Sequence, residues 1–144
     1  MLSEIIFYSL DKAIRRYRKM AQANIDRAGI PITIDQWLVL KVIEEDADLT
    51  QSEIADRVFK DQASVARIIA LLFRRGQLAS AGQSPDARRQ RLYVTPEGQR
   101  VLAAVQPVVL SNRRTALHGL SEADLAHLRT SLEQIAANCT PTPK

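Results

Sequence analysis

The chain has 144 residues, 46% hydrophobic and 25% charged, with a net charge of +4 and a single cysteine. That balance is ordinary for one globular domain; it excludes a disordered or fibrous chain and an internal disulfide, and it makes a polyanionic partner worth locating. Aromatic residues are only 5% while Leu, Ile, Val and Ala are plentiful, which favours helices packed on helices.

Residues 2–28 read as one long amphipathic helix. Apolar residues from Leu2 to Ala28 recur in steps of three and four, and Lys12, Arg15, Arg16, Arg18 and Lys19 fill the remaining positions. Gly29 and Pro31 end it. Three segments then share one form: Ile32-Thr33-Ile34-Asp35-Gln36-Trp37, Leu49-Thr50-Gln51-Ser52-Glu53-Ile54 and Leu120-Ser121-Glu122-Ala123-Asp124-Leu125. Each pairs a capping Thr or Ser with Gln, Glu or Asp three residues on, between two apolar residues: a capping box with a hydrophobic staple. Thr95-Pro96 marks a fourth helix start, with proline where its missing N–H costs nothing. A short helix from Gln51 to about Arg57 is followed by Asp61, the cap of a helix bearing Val65, Ile68, Ile69, Leu72 and Phe73 as one apolar stripe and closing at Gly76. Two helices so closely joined make a helix-turn-helix. Leu78–Gly82 and Gln90–Val94 are strand candidates joined by the polar loop 83–89, so a β-hairpin wing follows. Helices over 96–119, with Pro107 kinking it or opening one turn, and 121–137 complete the chain. The fold expected is mainly α with a small β-hairpin wing: a winged helix-turn-helix DNA-binding domain over 31–99, dimerisation helices over 1–30 and 100–139, and a disordered tail at 140–144. The terminal helices carry more apolar face than the central domain can cover, so a homodimer is expected.

Charge is unevenly placed. Lys60, Arg67, Arg74, Arg75, Arg88, Arg89 and Arg91 face only Asp61 and Asp86 between positions 60 and 91. At 100° per residue, with Val65 inward, Ala63, Arg67, Ala70 and Arg74 point outward with Ser64 and Ala66 on the flanks. Small residues beside an arginine form a low surface that fits a major groove, where Arg67 can fork onto guanine. Gln62 and Ser64, near the helix N-terminus, can meet base edges or phosphate. In the wing, Asp86 can hold Arg88 at the tip for entry into a narrow minor groove, with Arg89 beside it; a simple turn role for Asp86 is compatible with this. The expected DNA-binding set is therefore Gln62, Ala63, Ser64, Arg67, Arg74, Arg75, Asp86, Arg88 and Arg89, with double-stranded DNA as the partner.

Element order and motifs together resemble the MarR family of bacterial transcriptional regulators. The likeness spans essentially the whole chain. It is carried by the Thr33 and Thr50 segments, by Asp61-Gln62-Ala63-Ser64-Val65-Ala66-Arg67, and most specifically by Asp86-Ala87-Arg88 running into Val94-Thr95-Pro96-Glu97-Gly98, with valine for the usual leucine. The resemblance implies a homodimer on a near-palindromic operator, usually a repressor, released by a small phenolic or aromatic-acid effector. A site for such an effector is expected where the first helix, the Trp37 helix and the 96–119 helix meet, with Tyr17 and Trp37 as walls and Arg15 or Arg16 pairing with a carboxylate. Trp37 occupies the staple position, where core packing is the plainer reading. The peroxide-sensing branch of the family uses a cysteine in the first helix; this chain has only Cys139, which reads as an incidental thiol.

Rival functions have little support in the residues. His118 and His127 lack a third ligand at metal spacing, and neither a phosphate loop nor a nucleophile motif occurs, so no catalytic residue, metal or cofactor is expected. A winged-helix dimerisation or scaffold module without DNA binding gives Arg67, Arg74, Arg88 and Arg89 no reason to converge. A membrane-surface role for the first helix fits poorly with Asn24 and many alanines on its apolar side. The longest apolar run, Ile68 to Phe73, spans six residues, and Met1-Leu2-Ser3-Glu4-Ile5 lacks the layout of a secretory signal. A cytoplasmic protein is expected.

Overall fold

Side-chain caps start five of the helices. The computed structural model describes residues 1–83 and 90–141. After a 3-10 turn at Leu2–Glu4, α1 spans Ile6–Arg27, α2 Ile34–Glu45, α3 Gln51–Val58 and α4 Gln62–Arg74; β1 (Leu78–Gln83) and β2 (Gln90–Val94) precede α5 (Pro96–Ala116) and α6 (Glu122–Cys139). Thr33, Thr50 and Ser121 each accept from the backbone N–H three residues on, while Gln36, Glu53 and Asp124 reach back to the capping residue, completing all three capping boxes. Asp61 caps α4 by accepting from Ser64 N–H at 2.8 Å. Thr95 Oγ1 accepts from Gly98 N–H at 3.1 Å and donates to the Gly76 carbonyl, pinning the start of α5 to the end of α4.

The helix ends are equally local. At Gly29 (φ 76°) and Gly76 (φ 70°) the chain turns left-handed, and paired bonds back to Ile25 and Asp26, and to Leu72 and Phe73, close each helix. In α3 the same bond pair, Phe59 to Asp56 and Lys60 to Ala55, puts Phe59 in the left-handed region (φ 60°) although it has a Cβ and is 90% exposed.

The structure departs from the sequence expectations at three places. The first helix does not begin at residue 2: the Met1 ammonium pairs with Glu4 at 3.2 Å across a 3-10 turn, and Ile5, extended and without a capping acceptor, separates that turn from α1. Phe73, assigned to the apolar stripe of α4, is exposed at the rim, while Val65, Ile69 and Leu72 carry the burial. Helix α5 runs uninterrupted through Pro107; Ala103, whose carbonyl loses its donor there, lies on the exposed side.

The chain divides into two compact units, Met1–Asn112 and Arg113–Lys144. In the first, Ile25, Ile32, Val39, Leu40, Ile43, Leu49, Ile54, Val58, Val65, Ile69, Leu72, Leu78, Leu92, Val101, Val105 and Val109 form a single core drawn from α1 to α5 and both strands. Buried Asn112 takes a hydrogen bond from Asn24 Nδ2 at 2.8 Å, tying α5 to α1 through a satisfied polar pair. In the second unit α6 has no buried residue; Leu128 and Leu132 are exposed. The wing is an antiparallel pair in which Leu78 faces Val94 and Ser80 faces Leu92, with one extra residue in β1 before Gln83 pairs with Gln90. Gly82 (φ 103°) absorbs that bulge. Residues 84–89 of the wing loop and 142–144 of the expected tail lie outside the described residues.

Candidate nucleic-acid interface

The site is built on α4. Burial of Val65, Ile69 and Leu72 against the core sets the rotation of the helix, and Ala63, Arg67, Ala70 and Arg74 are consequently exposed, with Ser64 and Ala66 half-buried. Gln62 is exposed at the first helical position. Along the helix N-terminus runs a chain of polar contacts: Ser64 Oγ donates to Asp61 Oδ2 at 2.8 Å and accepts from Arg67 Nη2 at 3.3 Å. The Ser64 N–H and hydroxyl, and secondarily the Arg67 charge, hold the Asp61 carboxyl below its ordinary 3.8. The cap is thus ionised wherever DNA is stable, and Ser64 serves the cap as well as the outer face.

The other expected residues are distributed as follows. Arg75 follows α4, and its guanidinium reaches away from the outer row to donate to the Pro31 carbonyl at 2.9 Å. Asp86, Arg88 and Arg89 lie outside the described residues; Arg91, on β2, is exposed. Among the described residues no hydrogen bond or ion pair joins Arg15, Arg16, Tyr17 and Trp37, the four expected effector residues. Arg15 pairs with Asp11 on its own helix at 3.0 Å, and Arg15 and Arg16 line an open hollow on α1 with Tyr8, Asp11 and Lys12. Tyr17 is half-buried on α1, and Trp37 packs from α2 against the core with its Nε1 buried and unpartnered among the described residues. The cation that does cross from α1 to α2 is Arg18, which donates to Asp35. Nothing in the sequence distinguished Arg18 from its basic neighbours. Its partner, Asp35, stands out in the sequence only as a member of the Thr33 capping segment.

Among the described residues no group of His, Cys, Asp or Glu is placed to hold a metal, and no helix is long and apolar enough to cross a membrane. Cys139 is exposed.

A family model described as winged helix-turn-helix DNA-binding matches residues 36–76, from α2 through the end of α4. A Thauera aromatica protein assigned to transcriptional regulation of the hcr operon is 25% identical over 143 residues, covering 99% of this chain and 85% of that protein. A MarR family transcriptional regulator from Silicibacter pomeroyi superposes with a TM-score of 0.81 at 17% identity, over 100% of this chain and 96% of the other. BpsR of Bordetella bronchiseptica, whose DNA binding is regulated by 6-hydroxynicotinic acid, superposes with a TM-score of 0.81 at 22% identity, over 93% and 94%. Domain and fold define the class: the chain carries a winged helix-turn-helix DNA-binding domain over residues 36–76, within a fold it shares with MarR family transcriptional regulators. These relatives are regulators and not enzymes.

Proposed function

We propose that this protein is a repressor that binds a near-palindromic operator as a homodimer in the cytoplasm and is released by a small aromatic acid. The observation that carries the DNA-reading part is the outer row of α4: alanines 63 and 70 alternate with arginines 67 and 74, opposite the buried Val65–Ile69–Leu72 edge. Small side chains let the helix approach base edges, and the arginines supply forked donors. Gln62, Ala63, Ser64, Arg67 and Arg74 form the major-groove set in this reading. Arg75 stands behind them, and Asp86, Arg88 and Arg89 form the wing set for the adjacent minor groove. The dimer reading rests on large apolar residues left exposed on α1 (Ile6, Phe7, Ile14) and on α6 (Leu128, Leu132), which a second copy covers. Two copies then present two α4 helices to successive major grooves of a two-fold operator.

Release by a planar acid is favoured by Trp37 Nε1 on α2, a buried donor without a partner among the described residues. The 6-hydroxynicotinic acid that regulates BpsR belongs to that chemical class. Selection of duplexes from a random pool, then polarisation titration of the winner against a scrambled duplex, tests the DNA reading. Tighter binding of the selected duplex is expected; equal binding of both would overturn sequence-specific recognition, and binding of neither would leave only a scaffold. Trp37 is the one tryptophan, so its emission during titration with 6-hydroxynicotinate or salicylate, followed alongside release of the selected duplex, tests the effector.

A further inference from the structure

The first turn of α2 is held from three directions. From α1, Arg18 donates to Asp35 Oδ1, Gln22 Oε1 accepts from Ile34 N–H at 2.9 Å, and Gln22 Nε2 donates to the Ile32 carbonyl at 3.1 Å. From the turn that leads into α4, Lys60 Nζ pairs with Asp35 Oδ2 at 3.1 Å. From just beyond the far end of α4, Arg75 Nη1 donates to the Pro31 carbonyl at 2.9 Å and lies 3.4 Å from Gln36 Oε1, the oxygen that also closes the Thr33 capping box. Both ends of the DNA-reading helix are therefore tethered to one short segment, 31–36, and that segment is tethered to α1.

The tethers differ from ordinary surface ion pairs. An isolated exposed pair orders two long side chains for little gain. Here one carboxylate, 27% exposed, gives each of its oxygens to a cation from a different element, so a single ordered group fixes two neighbours. Arg75 is anchored by a backbone carbonyl within a capped turn, whose position the Thr33–Gln36 box already determines. Residues 31–36 thus bridge α1 and the recognition helix. Core packing at Val65, Ile69 and Leu72 settles the rotation of α4, whereas contacts at its two ends resist tilting.

We infer that Asp35 and Arg75 are positioning residues for DNA recognition: from opposite ends of α4 they set its tilt against α1, and so the angle at which its outer row meets a duplex. The inference rests on α4 being the DNA-reading helix. It assigns Arg75 to the α1–α2 turn instead of to phosphate. At Asp35 the expected effect has an unusual sign. Removing a negative charge near a basic face strengthens general attraction to DNA, whereas removing a tether weakens only the part of binding that depends on helix angle.

The test uses the duplex that the unaltered protein selects from a random pool and a scrambled duplex of the same composition, each titrated at several salt concentrations. Asp35→Asn is expected to weaken the selected duplex about five- to tenfold while leaving the scrambled duplex bound as tightly or more tightly, and Asp35→Glu to restore most of the loss. Arg75→Gln is expected to weaken the selected duplex more than the scrambled one, with the salt dependence unchanged. Tighter or equal binding of the selected duplex by Asp35→Asn would overturn the assignment of Asp35. Equal weakening of both duplexes by Arg75→Gln, with the salt slope reduced by about one, would make Arg75 a phosphate contact. Melting curves establish that each variant folds; should Asp35→Asn not fold, Arg75→Gln decides. If the unaltered protein enriches no duplex, the DNA reading itself fails, a result distinct from any of these.

Discussion

Gly98 shows how one residue position can be dictated by backbone. A Cβ there would lie 2.4 Å from the Gln77 carbonyl oxygen and 2.6 Å from Val94 Cγ1. The carbonyl cannot retreat, because it accepts from Thr95 N–H at 3.0 Å where β1, β2 and α5 converge. Gly98→Ala gains helix propensity but forces this junction apart, so a net loss of about 2–3 kcal/mol is expected, read as a lower urea midpoint with an unchanged slope. Asp61 makes a prediction in pH. Its folded-state carboxyl titrates below the ordinary 3.8 because Ser64 donates to the ionised form. A depressed carboxyl contributes stability above its unfolded value and loses it as pH falls through the folded one. The first turn of α4 should therefore stay protected at pH 5, and Ser64 amide protection should decline only below about 3.8, with Asp61→Asn removing that dependence.

At the scale of the element, α4 separates roles that its sequence merges. Arg67 and Arg74 share an outer row, but Arg67 sits one turn from the capped N-terminus and touches Ser64, whereas Arg74 is in the last turn. Arg67→Ala is expected to relax preference at one base pair per half-site and cost about 1–3 kcal/mol on the selected duplex. Arg74→Ala should weaken all duplexes alike and lower the salt slope by about one. Competition titrations over single-base variants distinguish the two; identical profiles for both variants would remove the base-reading role of Arg67. The outer row is legible in the amino-acid sequence alone, since a 3.6-residue period and one inward residue determine every other direction. The role of Arg75 is not, since its bond to Pro31 joins positions 44 apart and leaves no periodic trace.

For the whole molecule, the exposed apolar faces make association the expectation. Ile6, Phe7 and Ile14 on α1 and Leu128 and Leu132 on α6 remain in water in the single chain. Covering them in an interface of about 2,000 Å² or more is the regime of permanent dimers. Sedimentation equilibrium should show dimer at low micromolar concentration, and Leu128→Glu with Leu132→Glu should shift it to monomer with a lower melting temperature. A folded, stable monomer of the unaltered protein would refute the dimer.

Local chemistry determined much of this protein directly from its sequence. Three capping boxes, the Asp61 cap, the glycines after α1 and α4, and a single apolar stripe name the helices and their ends, because each depends on residues within one turn of one another. The hairpin followed from a change of period between Gly76 and Thr95. What the sequence left undecided depends on groups distant along the chain. The Asn24–Asn112 bond, the place of Gly98 against Gln77, and the sharing of Asp35 between Arg18 and Lys60 all exist only once separate elements are packed together. The expected gathering of Arg15 and Arg16 with Trp37 is of the same kind: helical spacing orders residues around one axis, but only packing decides which neighbouring helix each side chain meets.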